Sequence, residues 1–220
     1  MNLSPQLLPL SLLFSADIIY GLIILATLYY APWHHLKNSQ DSHVLFASYV
    51  LVLFIWRLGG GVTSGLEFHL LLVTSLTLMF GVSFAIIGVS ILQLGLSILG
   101  LADWQSHSMN VLCNGIAPIL MTYALYRFSY LYLPRHFFIY IFVCSFIGGA
   151  LSMLISRCLG MGLLLLNNTY TWSQLGDEPF FIIVMLFPEA FLNGMIMTIL
   201  VVYRPQWVSS FNDKYYLVGK

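Results

Sequence analysis

The sequence predicts an all-α membrane protein, a single integral membrane domain over residues 1–220 folded as a polytopic bundle of about seven transmembrane helices. Charged residues make up only 7% of the chain and hydrophobic residues 60%. A soluble domain carries about 25% charged residues, so most of this surface must face lipid. The apolar residues also fall into separate stretches, and a helix needs roughly 20 such residues to cross a bilayer.

Seven stretches predict the seven helices. The first six are Leu12–Tyr30, Val44–Leu58, Phe68–Val82, Phe84–Leu101, Met109–Leu131 and Phe137–Leu166, and the seventh is Phe180–Tyr203. The third is short, and the glycine at position 81 predicts a tight break before the fourth. The start of the chain lacks the positively charged region of a signal peptide, so we expect Met1 to begin the mature protein.

The distribution of Lys and Arg predicts the orientation. Basic residues lie between the first and second spans, between the fifth and sixth, and after the seventh: Lys37, Arg127, Arg135, Arg204, Lys214 and Lys220. The connections 102–108 and 167–179 carry acidic residues and neither Lys nor Arg. Because basic residues favour the cytoplasmic side, we expect the N-terminus outside and the C-terminus in the cytoplasm of a bacterial inner membrane.

Polar side chains concentrate in the outer half of this predicted topology. Ionisable residues inside a span are costly, so each needs a partner or a functional role. Arg157 and Glu189 lie about nine residues from the outer ends of their spans, which places both about 13 Å deep. Two interpretations stay open: a structural ion pair that joins the sixth and seventh spans, or part of a polar pocket that opens to the outside.

Glu67 and His69 open the third predicted span. Residues two apart cannot share one face of a helix, but at a junction between loop and helix both side chains can reach one cation. Imidazole suits nickel, cobalt, copper and zinc. The pair therefore indicates a metal site, while His107, in a short loop, is either a further ligand or an ordinary solvated residue.

Two segments of the chain resemble a known family. The run from Gly61 to Gly81, GVTSGLEFHLLLVTSLTLMFG, and the segment Asn110–Pro118, NVLCNGIAP, are similar to segments of the cobalt- and nickel-specific membrane subunits of energy-coupling factor ABC transporters. The segments Phe187–Met195 and Val201–Trp207 look like a divergent branch of that family. The resemblance covers most of the chain and agrees with the number of spans.

The resemblance implies a substrate-capture permease subunit for uptake of a divalent metal ion. It maps the family's metal histidine to His69 and places Asn110 and Asn114 around a bound N-terminus, with the amino group of Met1 as a further donor. Asn2 stands where the family typically has a histidine, so Glu67, Asp17 or His107 are candidates to complete the site. The expected partners are lipid, a transmembrane coupling subunit and cytoplasmic ATPase subunits.

Other functions have weaker support. No P-loop occurs in the sequence, so we expect a non-enzymatic subunit that depends on separate ATPases and holds no tightly bound cofactor, only the transported ion. The absence of a basic tract argues against nucleic-acid binding. Two alternatives stay open: a non-catalytic assembly subunit of a membrane complex, and a membrane metalloenzyme, although no HExxH, GxSxG or paired-carboxylate motif supports the latter.

Overall fold

A computed structural model describes residues 2–37, 39–61, 63, 65–212 and 216, and these form the predicted all-α bundle. Its helices are α1 (Leu10–Tyr30), α2 (Ser39–Arg57), α3 (Val73–Ile98), α4 (Trp104–Tyr132), α5 (Phe137–Leu166), α6 (Trp172–Leu175) and α7 (Glu178–Tyr203). Within the described part, five of them are long and apolar enough to cross a membrane: α1, α3, α4, α5 and α7. The fold class is thereby confirmed, while the orientation stays a prediction.

The predicted third span takes a different form from the one expected. The chain over residues 65–72, which we call the inserted loop, is not helical, and α3 begins only at Val73, after Leu72 with a left-handed φ of 52°. A sharp break at Gly81 (φ 81°, ψ 172°) then divides α3. Residues 73–80, the half-helix, are only about 12 Å long, so they cannot cross a hydrocarbon core of about 30 Å by themselves.

The break at Gly81 was predicted, but the start of the half-helix was not. Predicted spans three and four therefore form one interrupted element, in which the loop and the half-helix replace a full span. Irregular backbone at membrane depth is tolerated only where protein covers it or where it lines a cavity. Here Leu71, Leu72 and Val73 are all 2% exposed or less, because α2 and α7 pack around them.

Helix α4 contains an irregular turn near its start. A π-helical turn covers Leu112–Ile116, just before Pro118. Proline has no backbone N–H and cannot donate to the carbonyl four residues earlier, so the turn widens where that bond is lost. Such π-turns often mark functional sites, and this one contains the predicted site residue Asn114.

Buried hydroxyl groups fasten the half-helix to its neighbours. The Oγ1 atom of Thr74 lies 3.0 Å from Oγ1 of Thr122 on α4 and 2.8 Å from Oγ of Ser152 on α5, and the last two are 2.9 Å apart. All three residues are fully buried. Hydrogen bonds between transmembrane helices of this kind contribute about 0.6 kcal/mol each, so this hydroxyl cluster fixes the half-helix in the centre of the bundle.

The far end of the half-helix is covered by the chain that follows α7. The backbone N–H groups of Ser209 and Ser210 donate to the carbonyls of Met79 and Leu78 at 2.9 and 3.2 Å. The hydroxyls of Ser210 and Tyr140 lie 2.6 Å apart. These bonds satisfy carbonyls that a helix C-terminus otherwise leaves without a partner.

Candidate functional site

The N-terminal segment, residues 2–8, enters the bundle before α1 begins. The Leu3 N–H donates to Oδ1 of Asn110 at 2.8 Å, and Nδ2 of Asn110 donates back to the Leu3 carbonyl at 3.2 Å. Leu3 is 1% exposed. Further along, Ser4 donates to Asp103 and Thr169 donates to the Leu7 carbonyl. The start of the chain is therefore fixed against α4 by the side-chain amide of Asn110, which bonds both the N–H and the carbonyl of Leu3.

The inserted loop packs directly on this segment. Gly65 has a left-handed φ of 84°, and a Cβ built there would lie 2.5 Å from Cδ1 of Leu7 and 3.9 Å from the Asn2 carbonyl oxygen. Glycine adopts positive φ without strain, and any side chain here would collide with the N-terminal segment. This close approach brings the first residues of the chain against the loop that carries His69.

Arg157 holds the first part of the inserted loop. Its Nη1 donates to the carbonyls of Leu66 at 3.3 Å and Glu67 at 2.7 Å, and its Cζ lies 4.3 Å from the centre of the Phe68 ring. The residue is 1% exposed. A buried guanidinium is costly unless hydrogen bonds and neighbouring charges offset its loss of water. The loop backbone supplies two such bonds, both to Nη1.

Glu189 holds the other end of the loop. Its carboxylate oxygens accept the N–H groups of Leu71 at 2.7 Å and Leu72 at 2.8 Å, while Asn193, one turn along α7, accepts the N–H of Ser75 at 2.9 Å. These amides lie at the N-terminus of the half-helix, where N–H groups lack partners within the helix and negative charge is favourable.

Of the two interpretations left open for Arg157 and Glu189, the structure shows no direct ion pair between their side chains in the described part of the chain. Although they lie at similar depth on α5 and α7, each charge is bonded to the backbone of the inserted loop and not to the other. The sequence shows two opposite charges but not the exposed carbonyls and amides of a non-helical segment, which compete for them.

His69 lies between these two attachments and is 3% exposed. Its ring packs on Trp56 of α2 with 5.0 Å between ring centroids, and the indole Nε1 of Trp56 donates to the Leu71 carbonyl at 3.0 Å. Its Nδ1 is 3.4 Å from the Leu70 carbonyl. The imidazole thus points into protein and not into lipid, as a metal ligand requires.

The other predicted site residues occupy different places. Asn110 and Asn114 are fully buried on α4, and Oδ1 of Asn114 accepts from Ser156 at 3.1 Å. Glu67 is half-buried on the inserted loop. His107 is half-buried with its Nε2 3.4 Å from the Tyr20 hydroxyl on α1.

Asp17 is exposed on α1, and Met1 lies outside the described residues. Among the residues that the structure describes, no three His, Cys, Asp or Glu side chains come together in a group that could hold a metal. The polar residues predicted for the outer half therefore do not converge on a single acidic pocket within the described residues, and His69 lies against the Trp56 ring and the Leu70 carbonyl.

Trp56 and Asn193 belong to the site but were not found in the sequence. Trp56 gives no distinctive signal, because a tryptophan at the end of a span is typical of the membrane interface. A weak signal existed for Asn193, which follows Glu189 by four residues and so shares its helix face. Its Nδ2 indeed donates to a Glu189 carboxylate oxygen at 2.8 Å.

The family of cobalt uptake substrate-specific transmembrane regions, CbiM, matches residues 2–207 of this sequence. The chain belongs to this family. The resemblance drawn from the glycine-rich and asparagine-rich segments is thereby confirmed, and this CbiM-family protein is an integral membrane component of cobalt uptake, a transport family and not a catalytic one. No curated protein and no solved structure matches the chain.

Proposed function

We propose that the chain is the substrate-binding permease subunit of an energy-coupling factor transporter and captures a divalent transition-metal ion of the cobalt or nickel class. In this proposal it works in the bacterial cytoplasmic membrane with a transmembrane coupling subunit and cytoplasmic ATPase subunits. The observation that carries the proposal is the burial of His69 on a loop that packs, at Gly65, against the N-terminal segment held inside the bundle by Asn110.

A single imidazole is not a complete site, so the other donors have to come from close by. The N-terminal segment lies against the inserted loop at Gly65, so its backbone nitrogens are candidate donors. The amino group of Met1, which lies outside the described residues, is the further donor that the family resemblance implies. Nitrogen ligands suit cobalt and nickel better than magnesium or calcium, which prefer oxygen. Glu67 and His107 are the side-chain candidates for completing the coordination.

Metal binding to the purified protein tests the proposal. We expect the wild-type chain to bind about one Co²⁺ or Ni²⁺ and His69→Ala to lose at least about 100-fold in affinity, since even outer-shell changes cost 10- to 100-fold. His136→Ala is the matched control, because it removes an imidazole whose Nδ1 accepts from the Phe138 N–H at the opposite end of the bundle.

Equal affinity of wild type and His69→Ala for cobalt, nickel, zinc and copper would remove the metal-capture proposal. Co-purification then distinguishes the remaining roles. ATPase and coupling subunits that accompany the chain support an energy-coupling factor transporter, whereas a different membrane complex supports the assembly role.

A further inference from the structure

We infer that Arg157, Glu189 and Trp56 are positioning residues of the metal site, which set the orientation of His69 by fixing the backbone of the inserted loop on both sides of it. This inference rests on the proposed function. The three residues are called the anchoring residues below.

The anchoring residues flank His69 symmetrically along the chain. Arg157 binds the carbonyls of Leu66 and Glu67, which precede His69 by three and two residues. Glu189 binds the N–H groups of Leu71 and Leu72, which follow it by two and three residues. The loop between these bonds is only a few residues long, so little freedom is left to its backbone.

Trp56 completes this arrangement from α2. Its indole N–H bonds the Leu71 carbonyl, so that both backbone groups of Leu71 are satisfied by side chains from two different helices. Its ring also packs on the imidazole of His69. Three separate elements, α2, α5 and α7, therefore act on one short segment.

The chemistry of each anchor matches what the loop lacks. An extended or irregular segment inside a membrane exposes carbonyls and amides without partners of their own, each of which costs several kcal/mol in hydrocarbon. A cation meets the carbonyls on one side of His69, and an anion meets the amides on the other. The two opposite charges therefore hold the backbone of the loop on both sides of His69.

A purely structural role would leave the coordination of the bound metal unchanged, and this difference makes the inference testable. Metal sites need their ligands held close to one geometry. We therefore expect Glu189→Gln and Arg157→Lys, purified as full-length chains in lipid nanodiscs, to bind Co²⁺ about 10- to 100-fold more weakly. We also expect them to shift the visible absorption bands of the bound ion.

Matched variants complete the set. Arg157→Met removes the charge at similar length, so Arg157→Lys should recover part of the affinity and of the spectrum. Trp56→Phe keeps an aromatic ring on His69 but deletes one hydrogen bond, and we expect about fivefold weaker binding. Thr122→Val is the control. Thr122, on α4, bonds Thr74 of the half-helix and Ser152, so its loss disturbs the hydroxyl cluster without touching the inserted loop.

The outcomes separate the two proposals. The positioning inference is supported by three results together. His69→Ala loses binding, Glu189→Gln and Trp56→Phe bind more weakly with shifted bands, and Thr122→Val does neither. The positioning inference is overturned if Trp56→Phe and every folded variant of the anchoring residues keep the wild-type affinity and absorption bands. The metal-capture proposal then stands. A wild-type chain that binds no Co²⁺ or Ni²⁺ overturns both.

Discussion

Asn110 is predicted to control whether the N-terminal segment stays inside the bundle. Asn110→Ala removes the acceptor for the Leu3 N–H and the donor to the Leu3 carbonyl, and both backbone groups belong to a residue that is 1% exposed. A buried polar group left without a partner costs about 1–3 kcal/mol. Two such groups weaken the docking of the segment by about 2–6 kcal/mol.

The lower bound sets the expected result, because water can reach the segment once it loosens. A change of 2 kcal/mol corresponds to about a 30-fold shift of the opening equilibrium, since 1.4 kcal/mol is tenfold. We expect amide hydrogen exchange over residues 2–8 to accelerate by at least about 30-fold in Asn110→Ala, with the exchange of α3 and α5 little altered.

The control for this experiment is Asn167→Ala. Within the described residues, the Asn167 side chain donates to a carbonyl of the helix that precedes it, that of Leu163 at 2.7 Å, so its loss should leave the N-terminal segment protected. Asn110→Asp keeps the acceptor and loses the donor, and exchange should fall between the wild type and Asn110→Ala. Exchange in Asn110→Ala within about threefold of the wild type would refute the conclusion that this amide holds the segment.

Two further predictions concern glycines, both measured as thermal unfolding in detergent. A Cβ at Gly149 would lie 3.1 Å from the Glu189 carbonyl oxygen. Gly149→Leu should therefore destabilise the contact of α5 with α7 by about 1–3 kcal/mol or more. Gly162→Ala, with open space around it, should leave the stability unchanged. An equal melting temperature for both variants would contradict the close approach. Gly81→Ala forces a side chain into a φ of 81° and should lower the free energy of unfolding by about 1–3 kcal/mol. Its control is Gly21→Ala, inside α1 with nothing within 4 Å, which should be neutral or slightly stabilising. An unchanged stability of Gly81→Ala would show that the break does not need glycine.

Much of the fold could be predicted because lipid exposure leaves a simple signal. Low charge and long apolar stretches indicate a helix bundle whatever the packing, and Gly81 predicted the break in α3. The third span could not be predicted in its true form, since Leu70, Leu71 and Leu72 are as apolar as the helix that follows them. The left-handed Leu72 donates its N–H to Glu189, a tertiary contact that the local sequence does not reveal.

Some residues of the candidate site could be proposed from the sequence, and others could not. His69 was proposed as a ligand from its place beside Glu67 and from the family resemblance, and Asn110 was proposed from that resemblance. Both are buried, and their role in a metal site stays a prediction. The backbone partners of Arg157 and Glu189 could not be predicted. Charge and depth can be read from the sequence, whereas the backbone groups that are free to bond depend on where a helix fails to form. Trp56 gave no distinctive signal at all.

The half-helix has a consequence for how the chain can move. Its first amides are held by Glu189 and Asn193, and its last carbonyls by the amides of Ser209 and Ser210. Moving the half-helix along its axis in either direction would break bonds at both of its ends, which are about 12 Å apart. The half-helix is therefore held at both ends, and a movement along its axis would have to break the bonds at both ends.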